Sequence, residues 1–212
     1  MQKLKGLYAI ADTQCIDSSQ LIEKVSDVLS AGVKIIQFRD KLNNFEEKSV
    51  LANKIKSLST KHRALLIIND DVEIAKSIDA DGVHLGKQDK AIDEARHILG
   101  KDKLIGASCY DDFDNALAAI EAGADYVAFG SFFNSLSKPH AARANIDLLI
   151  RAKLELTVPI CAIGGINKNN VKKLLDTEVD MIAMISALFA SNTPKQTAEE
   201  FLGLIDEFDL TA

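Results

Sequence analysis

Several protein classes are excluded by what the sequence does not contain. Its three cysteines, Cys15, Cys109 and Cys161, are odd in number, far apart and without C-x-x-C spacing. That usage fits reduced thiols in small buried positions, and neither a disulfide frame nor a zinc site. No stretch approaches the roughly 18 apolar residues of a membrane span, and the apolar run within MQKLKGLYAI is too short for a signal peptide. Basic charge is not in excess: the formal net charge is -6. Neither nucleic acid nor a membrane is therefore an expected partner, and any anion must be bound locally. No G-x-G-x-x-G opens a helix after the first apolar run, and no Ser/His/Asp arrangement is visible. His62, His97 and His140 read as surface positions in helices and a loop, without metal-ligand spacing. No linker or low-complexity tract divides the 212 residues. The expectation is one domain over 1–212, cytoplasmic and compatible with a homo-oligomer.

Present instead are eight short apolar runs: LYAI at 7–10, VKIIQF at 33–38, ALLII at 64–68, GVHL at 82–85, LIGAS at 104–108, YVAF at 126–129, PICAI at 159–163 and MIAMI at 181–185. Each is too short for a helix and apolar on successive positions, as burial on both faces demands of a strand. Between them, apolar residues recur at helical spacing, as in Leu21, Val25, Val28 and Leu29, in Val50, Leu51, Ile55 and Leu58, and in Ala116, Ala119 and Ile120. Glycines in AGV at 31–33, ADG at 80–82 and AGAD at 122–125 suit the left-handed turn that ends a helix. Eight strand-helix repeats in 212 residues point to an α/β fold, a single-domain (β/α)8 TIM barrel, with an open doubly wound sheet as the alternative.

In such a barrel the C-terminal ends of the strands and the loops that follow form the face on which sites are built. The second run ends in charge, with Gln37, Arg39 and Lys41 at alternate positions, two of which should point to the mouth. The third ends LIINDD, placing Asn69, Asp70 and Asp71 there, and GVHLGKQD brings Asp89 a few residues beyond the fourth. Carboxylates beside an Arg/Lys cluster suit a divalent metal whose coordination is shared with a phosphate, although an aspartate in these loops can equally cap the next helix. Ser108 closes the fifth run, and the sixth leads into GSFFNSLSKP, where Ser135, Ser137 and Lys138 suit phosphate oxygens. AIGGIN at 162–167 and MISAL at 184–188 close the last two, where barrels often bind phosphate on backbone amides. Two anion sites on one face would accommodate two phosphorylated small-molecule substrates. His84 at its strand end reads either as a general base or as a structural residue.

The motifs LYAIAD, IIQFRDK, LIINDD, ADGVHLGKQD, IGAS, GADYVAFG, SKP, AIGGI and MISAL resemble, in order and over about residues 7–190, those of the thiamine phosphate synthase family. The resemblance implies a (β/α)8 transferase that joins a hydroxymethylpyrimidine diphosphate to a thiazole phosphate and releases pyrophosphate. Carried over by motif, Gln37, Phe38, Arg39, Asp40 and Lys41, with Asn69, Ser108 and Lys138, would hold the diphosphate substrate. Arg39, Lys41, Lys138 and Ser108 would serve catalysis, and Asp70 and Asp89 would bind Mg2+. The thiazole phosphate would lie on Ser135, Leu136, Ser137, Gly165, Ile185 and Ser186.

The sequence departs from the family pattern at the sixth loop, where Ser135 and Ser137 stand for two commonly found threonines and Asn134 for a proline. Serine keeps the hydroxyl and loses the methyl, so phosphate binding survives while loop rigidity is reduced. The nearest rival is a thiazole tautomerase on the same barrel, which uses a histidine after the fifth strand, where this chain reads ASCYDD. A non-catalytic phosphate-binding barrel would have little use for both carboxylates and the set Arg39, Lys41 and Lys138.

Overall fold

A computed structural model describes residues 4–17, 19–134 and 143–209. Eight strands appear among them: β1 (Gly6–Asp12), β2 (Ile35–Arg39), β3 (Leu65–Asn69), β4 (Gly82–Leu85), β5 (Leu104–Tyr110), β6 (Tyr126–Phe129), β7 (Ile160–Ile163) and β8 (Met181–Met184). They alternate with α1 (Leu21–Ser30), α2 (Phe45–His62), α3 (Val72–Ser77), α4 (Ile92–Leu99), α5 (Phe113–Glu121), α6 (Ile146–Glu155), α7 (Val171–Leu175), α8 (Ser186–Phe189) and α9 (Pro194–Asp209). Neighbouring strands pair in parallel around a closed ring, β8 returning to β1. The fold is the expected (β/α)8 barrel, and every strand end lies within two residues of its expected position.

Successive side chains on a strand point to opposite faces, so one strand feeds two cores. Tyr8, Ile10, Ile35, Ile67, Tyr126, Met181 and their neighbours fill the barrel interior. Leu7, Ala9, Ile36, Phe38, Leu66 and Val83 face the other way, into the larger layer between strands and helices. Leu21, Val25, Val28 and Leu29 form the buried stripe of α1 as the spacing predicts. On α2 the stripe is Ala52, Ile55 and Ser59, and Val50 is exposed, a rotation the apolar spacing alone does not show. Gly32 and Gly123 do adopt positive φ after α1 and α5. Gly82 does not: it lies within β4, where a Cβ would stand 2.2 Å from the Leu104 carbonyl oxygen, so its role is close approach of two strands.

At the pole away from the strand C-termini, one device recurs three times. Asp81, just before β4, accepts from the Leu66 N–H at 2.8 Å and pairs with Lys56 of α2. Asp125, before β6, accepts from the Ile105 N–H at 2.7 Å and pairs with Arg96 of α4. Asp180, before β8, accepts from the Ile160 N–H at 2.8 Å and pairs with Lys153 of α6. Each aspartate thus ties the start of an even strand to that of the odd strand before it and to a preceding helix. Cys15, Cys109 and Cys161 form no disulfide. No helix among the described residues is long and apolar enough to cross a membrane.

Candidate active site

Strand direction gathers the charged strand ends at one mouth. Gln37 and Arg39, two residues apart on β2, both face a cavity of about 670 Å3 that is also lined by Asn69, Ser108, Tyr110, Gly165 and Ser186. Arg39 is fixed from the end of β1 and the turn after it: its Nη1 donates to Asp12 Oδ2 at 2.6 Å and to Gln14 Oε1 at 2.9 Å. Both Nη1 protons are thereby taken, so a ligand in the cavity meets Nε and Nη2. Phe38 turns its ring into the strand–helix layer, which leaves only its backbone for the mouth.

Asp40 is buried and organises its own loop. It accepts from Thr13 Oγ1 at 2.8 Å, from the Leu42 and Asn43 N–H groups at 3.0 and 3.1 Å, and from Asn43 Nδ2 at 2.7 Å. Lys41 continues outward to an ion pair with Asp70. Asp70 adopts φ 63°, a left-handed conformation that aspartate tolerates better than most residues, and its N–H donates to the His84 carbonyl at 2.8 Å. That turn aims its carboxylate away from the next helix, where Asp71 is the cap, accepting from the Ile74 N–H at 3.0 Å. Asp89 accepts from the Gly86 N–H at 2.7 Å within its own loop and shares a hydrogen bond with Asp70. Of the three aspartates expected at these two strand ends, one therefore caps a helix and two face each other.

The electrostatics of the pair follow from that arrangement. Burial pushes Asp89 up, and the hydrogen bond shared with the Asp70 carboxylate adds to it. Burial opposes ionisation of Asp70 too, but the hydrogen bonds to Asp89 and Lys41 and the Lys41 charge hold it below the usual carboxylate range. Two facing carboxylates, one raised and one lowered by their contact, form a place where a cation can offset their charge. Among the described residues no cluster of three or more His, Cys, Asp or Glu gathers as a metal cage. A second depression of about 310 Å3 surrounds the pair, with Lys41, Lys48 and Lys90 beside Asp70 and Asp89. Asn69 lines both it and the central cavity.

On the far wall, the chain leaving β6 runs against the chain leaving β7: the Phe132 N–H donates to the Ile163 carbonyl and the Phe133 N–H to the Gly164 carbonyl. Gly164 and Gly165 have φ of 107° and 64°, and a Cβ on either would lie 2.1 Å from Ser131 Oγ or 2.3 Å from the Asn134 carbonyl oxygen. The two glycines are thus required by this close crossing, which also leaves Gly165 on the cavity wall beside Ile185 and Ser186. Ser135, Leu136, Ser137, Lys138 and His140 lie outside the described residues. His62 is half-buried in α2, and His97 is exposed on α4.

His84 points into the barrel and is buried. Its Nδ1 lies 3.1 Å from Tyr126 Oη and its Nε2 lies 2.9 Å from Ser108 Oγ. Tyr126 Oη is 2.9 Å from Tyr8 Oη, which accepts from Gln37 Nε2 at 2.8 Å. Sequence reasoning passed over Asp12, Gln14, Tyr110, Tyr8 and Tyr126. The polar tips of two tyrosines on inward strand positions were the available signal, since an O–H inside a barrel needs a partner.

Fold and mouth together define a (β/α)8-barrel enzyme with its chemistry at the C-terminal ends of the strands. Residues 7–188 match the family model described as thiamine monophosphate synthase. The thiamine-phosphate synthase of Thioalkalivibrio sulfidiphilus is 38% identical over 205 residues, 97% of either chain. That of Thiobacillus denitrificans is 44% identical over 195 residues, 92% of either chain. The solved thiamine phosphate pyrophosphorylase of Pyrococcus furiosus superposes with a TM-score of 0.87 at 33% identity, covering 97% of both chains. The chain belongs to the thiamine monophosphate synthase family and is a transferase, as its motifs imply.

Proposed function

We propose that the chain condenses 4-amino-2-methyl-5-hydroxymethylpyrimidine diphosphate with 4-methyl-5-hydroxyethylthiazole phosphate, releasing pyrophosphate and thiamine phosphate. Family membership supports the reaction. The observation that carries the assignment of its halves is Asn69, which borders both the central cavity and the depression holding the carboxylate pair. A substrate with its ring in the cavity near Gln37 can pass its diphosphate across Asn69 to Lys41 and the Asp70–Asp89 pair. The thiazole phosphate then takes the opposite wall at Gly165, Ile185 and Ser186, joined by Ser135, Leu136 and Ser137.

Asp70 and Asp89 fit Mg2+: two facing carboxylates, with room for water and phosphate oxygens, suit an ion that seldom takes an all-protein cage. Bound there, Mg2+ supplies charge neutralisation to the departing diphosphate. The protein's own groups do the rest. Arg39, pinned by Asp12, offers Nε and Nη2 as a fixed fork, while Lys41 and Lys138 add point charges and Ser108 a hydroxyl donor. These groups stabilise negative charge as it grows on the leaving group, and the two-walled cavity holds the thiazole nitrogen in line with the pyrimidine methylene. A substitution of this dissociative kind needs no strong base, consistent with His84 being tied inside the barrel. A tautomerase acting on the thiazole alone would leave the second depression with no diphosphate to meet. Cysteines without disulfides support a cytoplasmic setting.

The test is pyrophosphate release by the purified protein given both substrates, with and without Mg2+, alongside detection of thiamine phosphate. Release that requires both substrates and the metal is expected. Binding of the thiazole phosphate with no product formed would overturn the diphosphate half of the assignment.

A further inference from the structure

Five side chains from five strands form a continuous hydrogen-bonded line through the barrel interior: Gln37, Tyr8, Tyr126, His84 and Ser108, joined at 2.8, 2.9, 3.1 and 2.9 Å. Proton counting gives the line a direction. Among the described residues Tyr8 Oη is hydrogen-bonded to Gln37 and Tyr126; since it accepts from the Gln37 amide, its own buried proton is satisfied by donation to Tyr126. Tyr126 must then donate to His84, which requires a lone pair on Nδ1 and leaves the ring proton on Nε2. Nε2–H donates to Ser108 Oγ, and the Ser108 proton is left for the cavity that this residue lines. Burial pushes both phenols up, so neither gives up its proton within the working range of a protein. Space for the line is made by Gly106, where a Cβ would stand 2.0 Å from the Tyr126 ring.

We propose that Tyr8, Tyr126 and His84 are positioning residues that transmit the polarity of the Gln37 amide across the barrel, fix the His84 proton on Nε2 and thereby make Ser108 a donor to the ligand. This rests on the reading that Ser108 faces the diphosphate substrate. Reversed polarity would turn Ser108 inward as a donor to His84, and its oxygen would meet the growing negative charge with lone pairs alone.

The experiment is 15N NMR of the full chain labelled at histidine, without ligand and at a pH where imidazoles are neutral. The His84 signals are assigned by their loss in His84→Gln. The expected spectrum has a pyrrole-type nitrogen at Nε2 and a pyridine-type nitrogen at Nδ1. Tyr126→Phe should lose that preference and lower kcat roughly tenfold, about the worth of one hydrogen bond, with KM for both substrates little changed. In a Ser108→Ala background the same change should have no further effect on kcat, because the two act as one unit. A proton on Nδ1 in the parent protein, an unaltered tautomer in Tyr126→Phe, or additive effects of the two substitutions would each overturn the proposal. Should Tyr126→Phe fail to fold, the parent spectrum alone decides. Because the tautomer is read without substrates, a failure of the synthase assignment leaves that readout standing and is seen separately.

Discussion

Asp40 takes four hydrogen bonds on one carboxylate, and its value lies in shaping the loop that carries Lys41. Burial alone would push it up, but bonds from the Asn43 amide, the Leu42 and Asn43 N–H groups and the Thr13 hydroxyl more than offset that and hold it below the usual range. A group depressed in the folded state adds stability above its unfolded pKa, and that contribution disappears as pH falls through the folded one. Asp40→Asn should therefore cost about 1.5–3 kcal/mol at neutral pH, the range for hydrogen bonds to a charged group. The Tm deficit against the parent should close in acid, below about pH 4, as the parent's own carboxylate protonates; a deficit independent of pH would refute the charge argument. At the opposing pair, Asp89→Asn keeps an acceptor for the Gly86 N–H and removes a charge. We expect it to raise the Mg2+ concentration for half-maximal rate by about 10–100-fold, with binding followed independently by calorimetry. Unchanged metal affinity would remove Asp89 from the site. At this scale the mouth residues were legible because strand ends are readable: Arg39, Asn69, Asp70, Asp89 and Ser108 fall where the repeat puts them. Asp12 was not, since its partner Arg39 is 27 positions away and no local pattern announces the pair.

Among the elements, the three aspartates before β4, β6 and β8 hold the strand starts in register. Arg96 does most at one of them, donating from Nη2 to Asp125 at 2.6 Å and to the Gly123 carbonyl at 3.0 Å, and from Nη1 to the Gly100 and Lys103 carbonyls. Arg96→Ala should destabilise the chain by about 2 kcal/mol, a few net hydrogen bonds at partly exposed positions. For a chain of this size that lowers Tm by about 4–8 °C, measurable by calorimetry. Turnover should be unaltered below the transition, because the pole it stabilises is remote from the mouth; a proportionate loss of kcat would refute that separation. The strands themselves were readable because two-sided burial leaves unbroken apolar runs. The face of α2 was not, since three of the four apolar residues that mark it sit beside the buried stripe or outside it, and packing against α1 and β3 decides which way it turns. Gly82 misled for the same reason: the sequence shows a glycine but not the neighbouring strand it must let in.

For the molecule as a whole, the two poles of the barrel divide stability from chemistry, and that division predicts additivity. Pyrophosphate with Mg2+ at about 100 times its dissociation constant should stabilise the folded state by about 2.7 kcal/mol through linkage alone. The resulting stabilisation should be the same, within about 0.5 kcal/mol, in the parent and in Arg96→Ala, since sites that share no partner act independently. A ligand effect that depends on the far pole would show that the barrel transmits strain between its ends. Closure of the eight strands was legible from their count and spacing. The interior was less so, because a line of polar groups through it depends on which side chains meet across the ring, and that is decided only when the sheet closes.

The three aspartates also divide the chain into modules. Lys56, Asp81 and the Leu66 amide fasten α2, β3 and β4 into one; Arg96, Asp125 and the Ile105 amide fasten α4, β5 and β6; and Lys153, Asp180 and the Ile160 amide fasten α6, β7 and β8. The seams at which the three modules begin are the loops after β2, β4 and β6, and these carry Lys41, Asp89 and the segment leading to Lys138. A seam can be lengthened or exchanged without loosening a fastening. Evolution, or an engineer swapping loops between related barrels, thus has its freest access at the places where substrate choice is made.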